Sequence, residues 1–235
     1  MLYALGSPLS FVLLVVSFVL AVTLHGWVSS LAADRAGWRE PAAEGRLRPD
    51  PRRHLDPFGA VAGAIAGFGW ARPLEPPRRM GKARLVVTLL AGAFVNIALA
   101  LLVLLALRLV YGAGLVDASA AVLQHGLDSG SDSLSNDLGF PWLLIHFGLL
   151  FSLMNLFVGL LALMPLPPLP GGRLLFALAP RSSGWQKAEH HLVERNIGLA
   201  VLLALLLIPL GGPQALLPVV VGTVADPLVG LVSGG

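Results

Sequence analysis

The chain has 235 residues, of which 56% are apolar and only 12% are charged, and its mean hydropathy is +0.79. These values exclude an ordinary soluble domain and predict an all-α polytopic membrane protein. The formal charge of +3 does not indicate binding to nucleic acid, because the charges lie between apolar runs. The chain has no cysteine, which excludes disulfides and thiolate metal sites.

Long uncharged runs predict a single membrane domain, 1–235, with about five to six transmembrane helices of about 20 residues each. The first run contains no charged residue before Asp34 and is too long for the apolar core of a signal peptide. We therefore expect it to remain as a span. The predicted spans are 9–33, 85–110 and 140–164, followed by one or two further helices within 197–233.

Two segments do not fit a simple crossing. The run 57–69 is apolar and glycine-rich, but it is too short to span and basic loops flank it, which predicts a re-entrant hairpin after the first span. The segment 165–173 contains four prolines in six residues, which favour an extended chain before Arg173.

The charges predict the orientation. The stretches 34–56 and 70–84 carry eleven of the sixteen lysines and arginines, whereas 111–139 carries none and contains four aspartates. The positive-inside bias therefore places the basic loops in the cytoplasm, and both the acidic loop 111–139 and the N-terminus outside. We expect this arrangement in a cell membrane, with the lipid bilayer as surroundings. Arg72 and Arg173 follow irregular segments on the basic side and are predicted to anchor the surface.

His25 is an ionisable side chain inside the first predicted span, which is by default a candidate functional residue. The next turn of the helix offers Ser29, and Gly26 offers no side chain. The simplest structural role is a hydrogen bond from His25 to Ser29 or to a backbone carbonyl, with Trp27 and Trp70 packed nearby. Intramembrane polar groups are generally paired in this way.

Several motifs in order resemble the site-2 proteases, a family of intramembrane zinc metalloproteases, in the short bacterial form without a PDZ domain. The resemblance covers roughly residues 15–175. It rests on a loop and hairpin, on Ala91-Gly92-Ala93-Phe94-Val95-Asn96, and on the proline-rich segment through Gly171-Gly172-Arg173. The loop and hairpin read Gly45-Arg46-Leu47, then Arg53-His54-Leu55-Asp56-Pro57-Phe58-Gly59, then Phe68-Gly69-Trp70-Ala71-Arg72-Pro73.

The resemblance implies a zinc ion held by the two histidines of a His-Glu-x-x-His helix and by an aspartate, with the glutamate as general base. In this chain His25 matches the first histidine. Gly26 stands at the glutamate, Ser29 at the second histidine and Pro170 at the aspartate. We therefore predict no catalytic residues, no metal ligand set and no zinc cofactor.

Other polar residues in the apolar runs could have either a functional or an ordinary structural role. Asn96, Asn155, His25 and Trp70 are candidates for lining a groove that binds a client, although interhelical hydrogen bonds would equally explain the two asparagines. His54 is predicted to be an interfacial residue that fixes its loop beside Asp56. A displaced metal site using His54 or His146 stays open, but His146 lies toward the outer end of its span.

Three functions remain. The leading prediction is an inactive homologue, a pseudoprotease that acts as a membrane scaffold or accessory subunit and binds a transmembrane client or a larger membrane complex. The alternative is an active or residual intramembrane zinc metalloprotease with displaced ligands. A small transporter or pore is the third, because broken helices also occur in transporters. The spans hold almost no charged residues that could form a pathway for it.

Overall fold

The computed structural model describes residues 8–77, 80–114, 140–180, 182–208 and 216–233. Regular structure in these ranges is helical, with one isolated antiparallel bridge between Leu55 and Ala71, which confirms the all-α prediction. In chain order the helices are α1 (Pro8–Arg35), α2 (Glu40–Ala43), α3 (Pro51–His54), α4 (Pro57–Ala66), α5 (Lys82–Tyr111), α6 (Phe140–Leu163), α7 (Pro170–Leu178), α8 (Ser183–Glu189), α9 (Ile197–Leu207) and α10 (Leu216–Ser233).

Three of the described helices, α1, α5 and α6, are long and apolar enough to cross a membrane. They coincide with the spans expected from the sequence. A fourth crossing is added if α9 and the helical segment Ser183–Glu194 before it, which are bent by 66°, form one broken span. The total of five to six helices stays a prediction, and most of the predicted acidic loop lies outside the described residues.

Helix α6 lies at the centre of the bundle and packs against both α1 and α5. On one side, Phe18 and Val22 of α1 meet Met154 and Val158 of α6 in a buried apolar cluster. On the other side, α6 shares a second cluster with α4, α9 and α10. Because these helices are apolar on nearly all faces, the order of packing could not be read from a hydrophobic stripe.

The segment predicted to be a re-entrant hairpin contains helix α4 and a returning chain. Asp56 caps the helix, since its carboxylate accepts a hydrogen bond from the Gly59 amide at 2.8 Å, and Pro57 fits the first turn. The helix ends at Gly67, whose φ of +86° is accessible mainly to glycine. The bridge between Leu55 and Ala71 then brings the chain back to the point where it left. The depth of this hairpin in the bilayer stays a prediction.

The proline-rich segment is shorter in the structure than the sequence suggests. Helix α7 begins at Pro170, so the irregular chain ends at Leu169 and Arg173 belongs to a helix. Proline is compatible with the first helical turn, because its missing amide hydrogen has no partner there in any helix. The turn carries Pro170 toward α1.

Candidate functional site

The four positions that match the family's catalytic residues meet at one place. His25, Gly26 and Ser29 of α1 and Pro170 of α7 all line a cavity of about 20 Å³. His25 and Ser29 are almost fully buried. A cavity of this size has room for about one water molecule. The structure therefore brings together the residues that the sequence motifs grouped, around a very small cavity.

Gly26 is covered by the side chain of His54. A Cβ atom at position 26 would lie 2.7 Å from Nδ1 of His54 and 3.0 Å from its Cβ. The His54 side chain is completely buried within the protein, and its expected position at the membrane interface stays a prediction. The absence of a side chain at Gly26 is what lets the imidazole ring pack directly on α1. The ring occupies space into which a larger side chain at position 26 would extend.

The orientation of His54 is fixed by two hydrogen bonds. Its Nε2 donates to the Arg48 carbonyl at 2.9 Å, and its own backbone carbonyl accepts from the Arg72 amide at 2.7 Å. Because a carbonyl can only accept, the neutral ring carries its proton on Nε2 and leaves Nδ1 bare. Burial lowers the pKa of His54 below 6.5 and outweighs the Arg48 hydrogen bond, which raises it. His54 is therefore a neutral side chain at pH 7.

Helix α5 approaches α1 closely on the other side of the site. A Cβ atom at Gly92 would lie 2.5 Å from the Ser29 hydroxyl oxygen and would also collide with the backbone carbonyl of His25. The predicted hydrogen bond between His25 and Ser29 is not formed, since Nδ1 of His25 and Oγ of Ser29 have no partner among the described residues. Both groups are left as buried polar atoms beside a space of about one water.

A buried arginine holds the extended chain beside this site. Arg46 donates to the carbonyl of Arg72 at 2.8 Å and to that of Pro73 at 3.3 Å, and it lies 3.7 Å from the carboxylate of Glu44. Burial lowers the pKa of Arg46, Glu44 opposes this effect, and the nearby charge of Arg72 adds to it. Nothing in the sequence around Arg46 indicates this role, because the two carbonyls lie 26 and 27 residues further along the chain.

The remaining groove candidates lie in the helix packing. Asn96 donates to the Ala21 carbonyl at 3.0 Å, which links α5 to α1. Asn155 donates to the Phe151 carbonyl in its own helix at 2.8 Å. Both asparagines are fully buried, and Trp70 is nearly so. None of these three lines the small cavity, whereas His25 does.

His146 lies far from His25. Its Nε2 is 2.9 Å from the Ser10 hydroxyl, and its ring stacks on Trp142. Ser10 precedes His25 by fifteen residues on α1, which corresponds to about 22 Å along a helix. The structure thus separates His146 from the site and brings His54 to it.

A second, larger cavity adjoins the first on the side of the basic loops. It has a volume of about 560 Å³ and shares a wall with the small cavity. The shared residues are Arg72, Pro73, Leu74, Pro168 and Arg173. Volumes of this size are typical of ligand sites.

The residues present do not fit the family's zinc ion. A catalytic zinc site needs three nitrogen or oxygen ligands from the protein. Position 29 offers a hydroxyl and position 170 offers no donor side chain. In the part of the chain that the structure describes, no group of three or more His, Cys, Asp or Glu residues could hold a metal ion. His25 and His54 are the only imidazoles described near Gly26.

Fold and site together define a polytopic helical membrane protein with a small cavity between α1 and α7. The chain is 32% identical over 201 residues to a protein of Bacillus subtilis (strain 168) named "Putative zinc metalloprotease YwhC", a match that covers 84% of this chain and 81% of that protein. The chain therefore belongs to the family of this zinc metalloprotease homologue, in agreement with the resemblance to site-2 proteases. No family model matches the chain. No solved structure matches it either.

Proposed function

We propose that this protein is a catalytically inactive member of its metalloprotease family, a pseudoprotease that binds a transmembrane segment of a partner as a membrane scaffold or accessory subunit. The observation that carries the proposal is the cavity shared by His25, Gly26, Ser29 and Pro170. These residues meet as the motifs require, but three of them lack the chemistry that the motifs supply.

The packing around the cavity supports the same proposal. A metalloprotease needs a general base beside its activated water. Gly26 provides none, and His54 packs against its Cα. The space beside His25 has a volume of about 20 Å³, which holds about one water molecule. Hydrolysis would require both a new base and a rearrangement of His54.

The support for a binding role is that the elements around the cavity remain packed. The bridge between Leu55 and Ala71 closes the hairpin, and Arg46 fixes the chain at Arg72 and Pro73. In this proposal the same elements form the wall against which a partner would pack. The partner we propose is a transmembrane helix or a subunit of a larger complex.

One observation favours a second candidate, a residual protease with displaced ligands. The structure places a second imidazole, that of His54, against Gly26, and Gly26 is the residue that follows His25. Its bare Nδ1 has no hydrogen-bond partner among the described residues. Two imidazoles are one ligand short of a catalytic zinc site, so this candidate needs a donor from elsewhere.

Metal analysis and a cleavage assay on the same purified protein test the proposal. We expect no stoichiometric zinc after mild chelation and no cleavage of a helical substrate in detergent. Membrane pull-down followed by mass spectrometry should recover a stoichiometric membrane partner. One zinc per chain, together with cleavage that His25→Phe and His54→Phe abolish, would instead establish the residual protease. Gly222→Ala, far from the site in α10, is the matched control.

A further inference from the structure

The larger cavity is lined by two arginines whose guanidinium groups have few partners among the described residues. Arg72 and Arg173 both line it. The Arg72 side chain is exposed and makes no hydrogen bond or ion pair within the described residues, although its backbone is held by Arg46 and His54. Arg173 is mostly buried, and its Nε has no partner among the described atoms. Its one ion pair is a 3.3 Å contact with Glu75.

The carboxylates of the same cavity are engaged. Glu44 pairs with Arg46, Asp56 caps α4, and Glu40 accepts a hydrogen bond from the Trp38 indole. Of these four carboxylates, Glu75 is the most weakly held. Its side chain is 82% exposed, and it contacts Arg173 through one oxygen. A phosphate group offers several oxygens to an arginine and can make two parallel hydrogen bonds, so it would displace Glu75.

The cavity wall continues into an apolar surface. Phe58 of α4 lines the cavity, and Phe58, Val61 and Ile65 are exposed along one face of that helix at helical spacing. The cavity itself is built from the loops that carry most of the basic residues. The lining carries three arginines and four carboxylates, so the part of it that suits an anion is the pair Arg72 and Arg173 rather than the whole cavity. Arginines next to apolar surface, on the side of the basic loops, can hold an anionic lipid headgroup.

We propose that Arg72 and Arg173 bind the phosphate of an anionic phospholipid at the mouth of the larger cavity, and that the acyl chains of this lipid lie along the exposed face of α4. The lipid neutralises two neighbouring guanidinium groups that the protein leaves without a full carboxylate partner. Arg72 and Arg173 also border the small cavity, but the inference uses only their charges and none of the motif positions His25, Gly26, Ser29 and Pro170, so it does not depend on the loss of catalysis.

Native mass spectrometry of the full chain in detergent tests the inference, with dioleoyl-phosphatidylglycerol and dioleoyl-phosphatidylcholine added separately. We expect the wild type to retain the anionic lipid in preference to the zwitterionic one. Arg72→Gln and Arg173→Gln should each weaken binding of the anionic lipid about fivefold, as expected for one basic residue near a headgroup. Glu75→Gln should strengthen it, because a competitor for Arg173 is removed.

Arg52→Gln is the matched control, since Arg52 is an exposed arginine on the same side that does not line the cavity. It should leave lipid binding unchanged. Arg72→Gln removes no contact within the described residues and should fold normally, so the test does not rest on Arg173 alone. Equal retention of both lipids, or equal loss in the control, would overturn the inference. Competition by free glycerol phosphate as effective as the lipid would also overturn it, in favour of a soluble phosphate.

Discussion

The contact between Gly26 and His54 leads to a quantitative prediction for Gly26→Ala. The new Cβ would lie 2.7 Å from His54 Nδ1 and 3.0 Å from His54 Cβ, well inside ordinary contact distance. His54 cannot turn away easily, because it is buried and held at Nε2 by Arg48. Because the ring cannot move away, we expect the upper part of the range for overpacking, about 2–3 kcal/mol, of which alanine recovers about 1 kcal/mol through its helix propensity.

We therefore expect Gly26→Ala to lower the free energy of unfolding by about 1–2 kcal/mol. In a chain of this size the loss corresponds to a fall in Tm of about 2–8 °C, measured by thermal unfolding in detergent. Gly26→Glu, which reinstates the residue of the family motif, should be worse because its side chain is longer. It should not create activity, since the ring of His54 already fills the space.

A double-mutant cycle with His54→Ala decides whether the contact is the cause. His54→Ala removes the 2.7 Å contact with Nδ1 and keeps the 3.0 Å contact with Cβ, so Gly26→Ala should cost less in that background, with a coupling energy of about 0.5–3 kcal/mol between the two positions. Gly222→Ala is the control, because a Cβ there meets nothing within 4 Å. An unchanged Tm for Gly26→Ala, or the same loss in both backgrounds, would refute the reasoning.

Three further predictions concern the surroundings of the site. Asn96→Ala should lower Tm more than Asn155→Ala, because only Asn96 bonds to another helix; equal losses would contradict this. Below pH 6.5 the unfolded chain takes up a proton at His54 before the folded one does, so wild-type stability should fall with pH more steeply than that of His54→Gln. Parallel pH profiles would show that His54 is not responsible. Arg46→Met should speed hydrogen exchange in 70–77, and Arg46→Lys should not restore protection, because an ammonium cannot bridge the two carbonyls as a planar fork does. Hydrogen exchange in Arg46→Met at the wild-type rate would show that Arg46 does not hold this segment in place.

The sequence predicted those parts of the fold that depend on length and local capping. The three long spans follow from uncharged runs of sufficient length. Helix α4 follows from Asp56 and Pro57 at its start and Gly67 at its end. The motif positions His25 and Pro170 were grouped in advance, and the structure does bring them to one cavity.

The position of His54 could not be predicted in the same way. It is separated from Gly26 by 27 residues that include the end of α1 and the short helix α2, and no local rule says where such a segment returns. The role of Arg46 depends on the carbonyls of Arg72 and Pro73, which are equally remote in sequence. Gly26 alone indicated part of this arrangement, because a glycine inside a long helix often marks a place where another group approaches the backbone closely.

The close approach at Gly92 restricts the directions from which anything can reach His25. Helices α1 and α5 touch through this residue, with the Ser29 hydroxyl and the His25 carbonyl directly opposite. The two helices therefore have no gap at this depth through which a third chain could slide. The small cavity beside His25 is lined on its other side by the chain after the hairpin and by α7. A molecule that reaches His25 would therefore approach from the hairpin and α7, and not between α1 and α5.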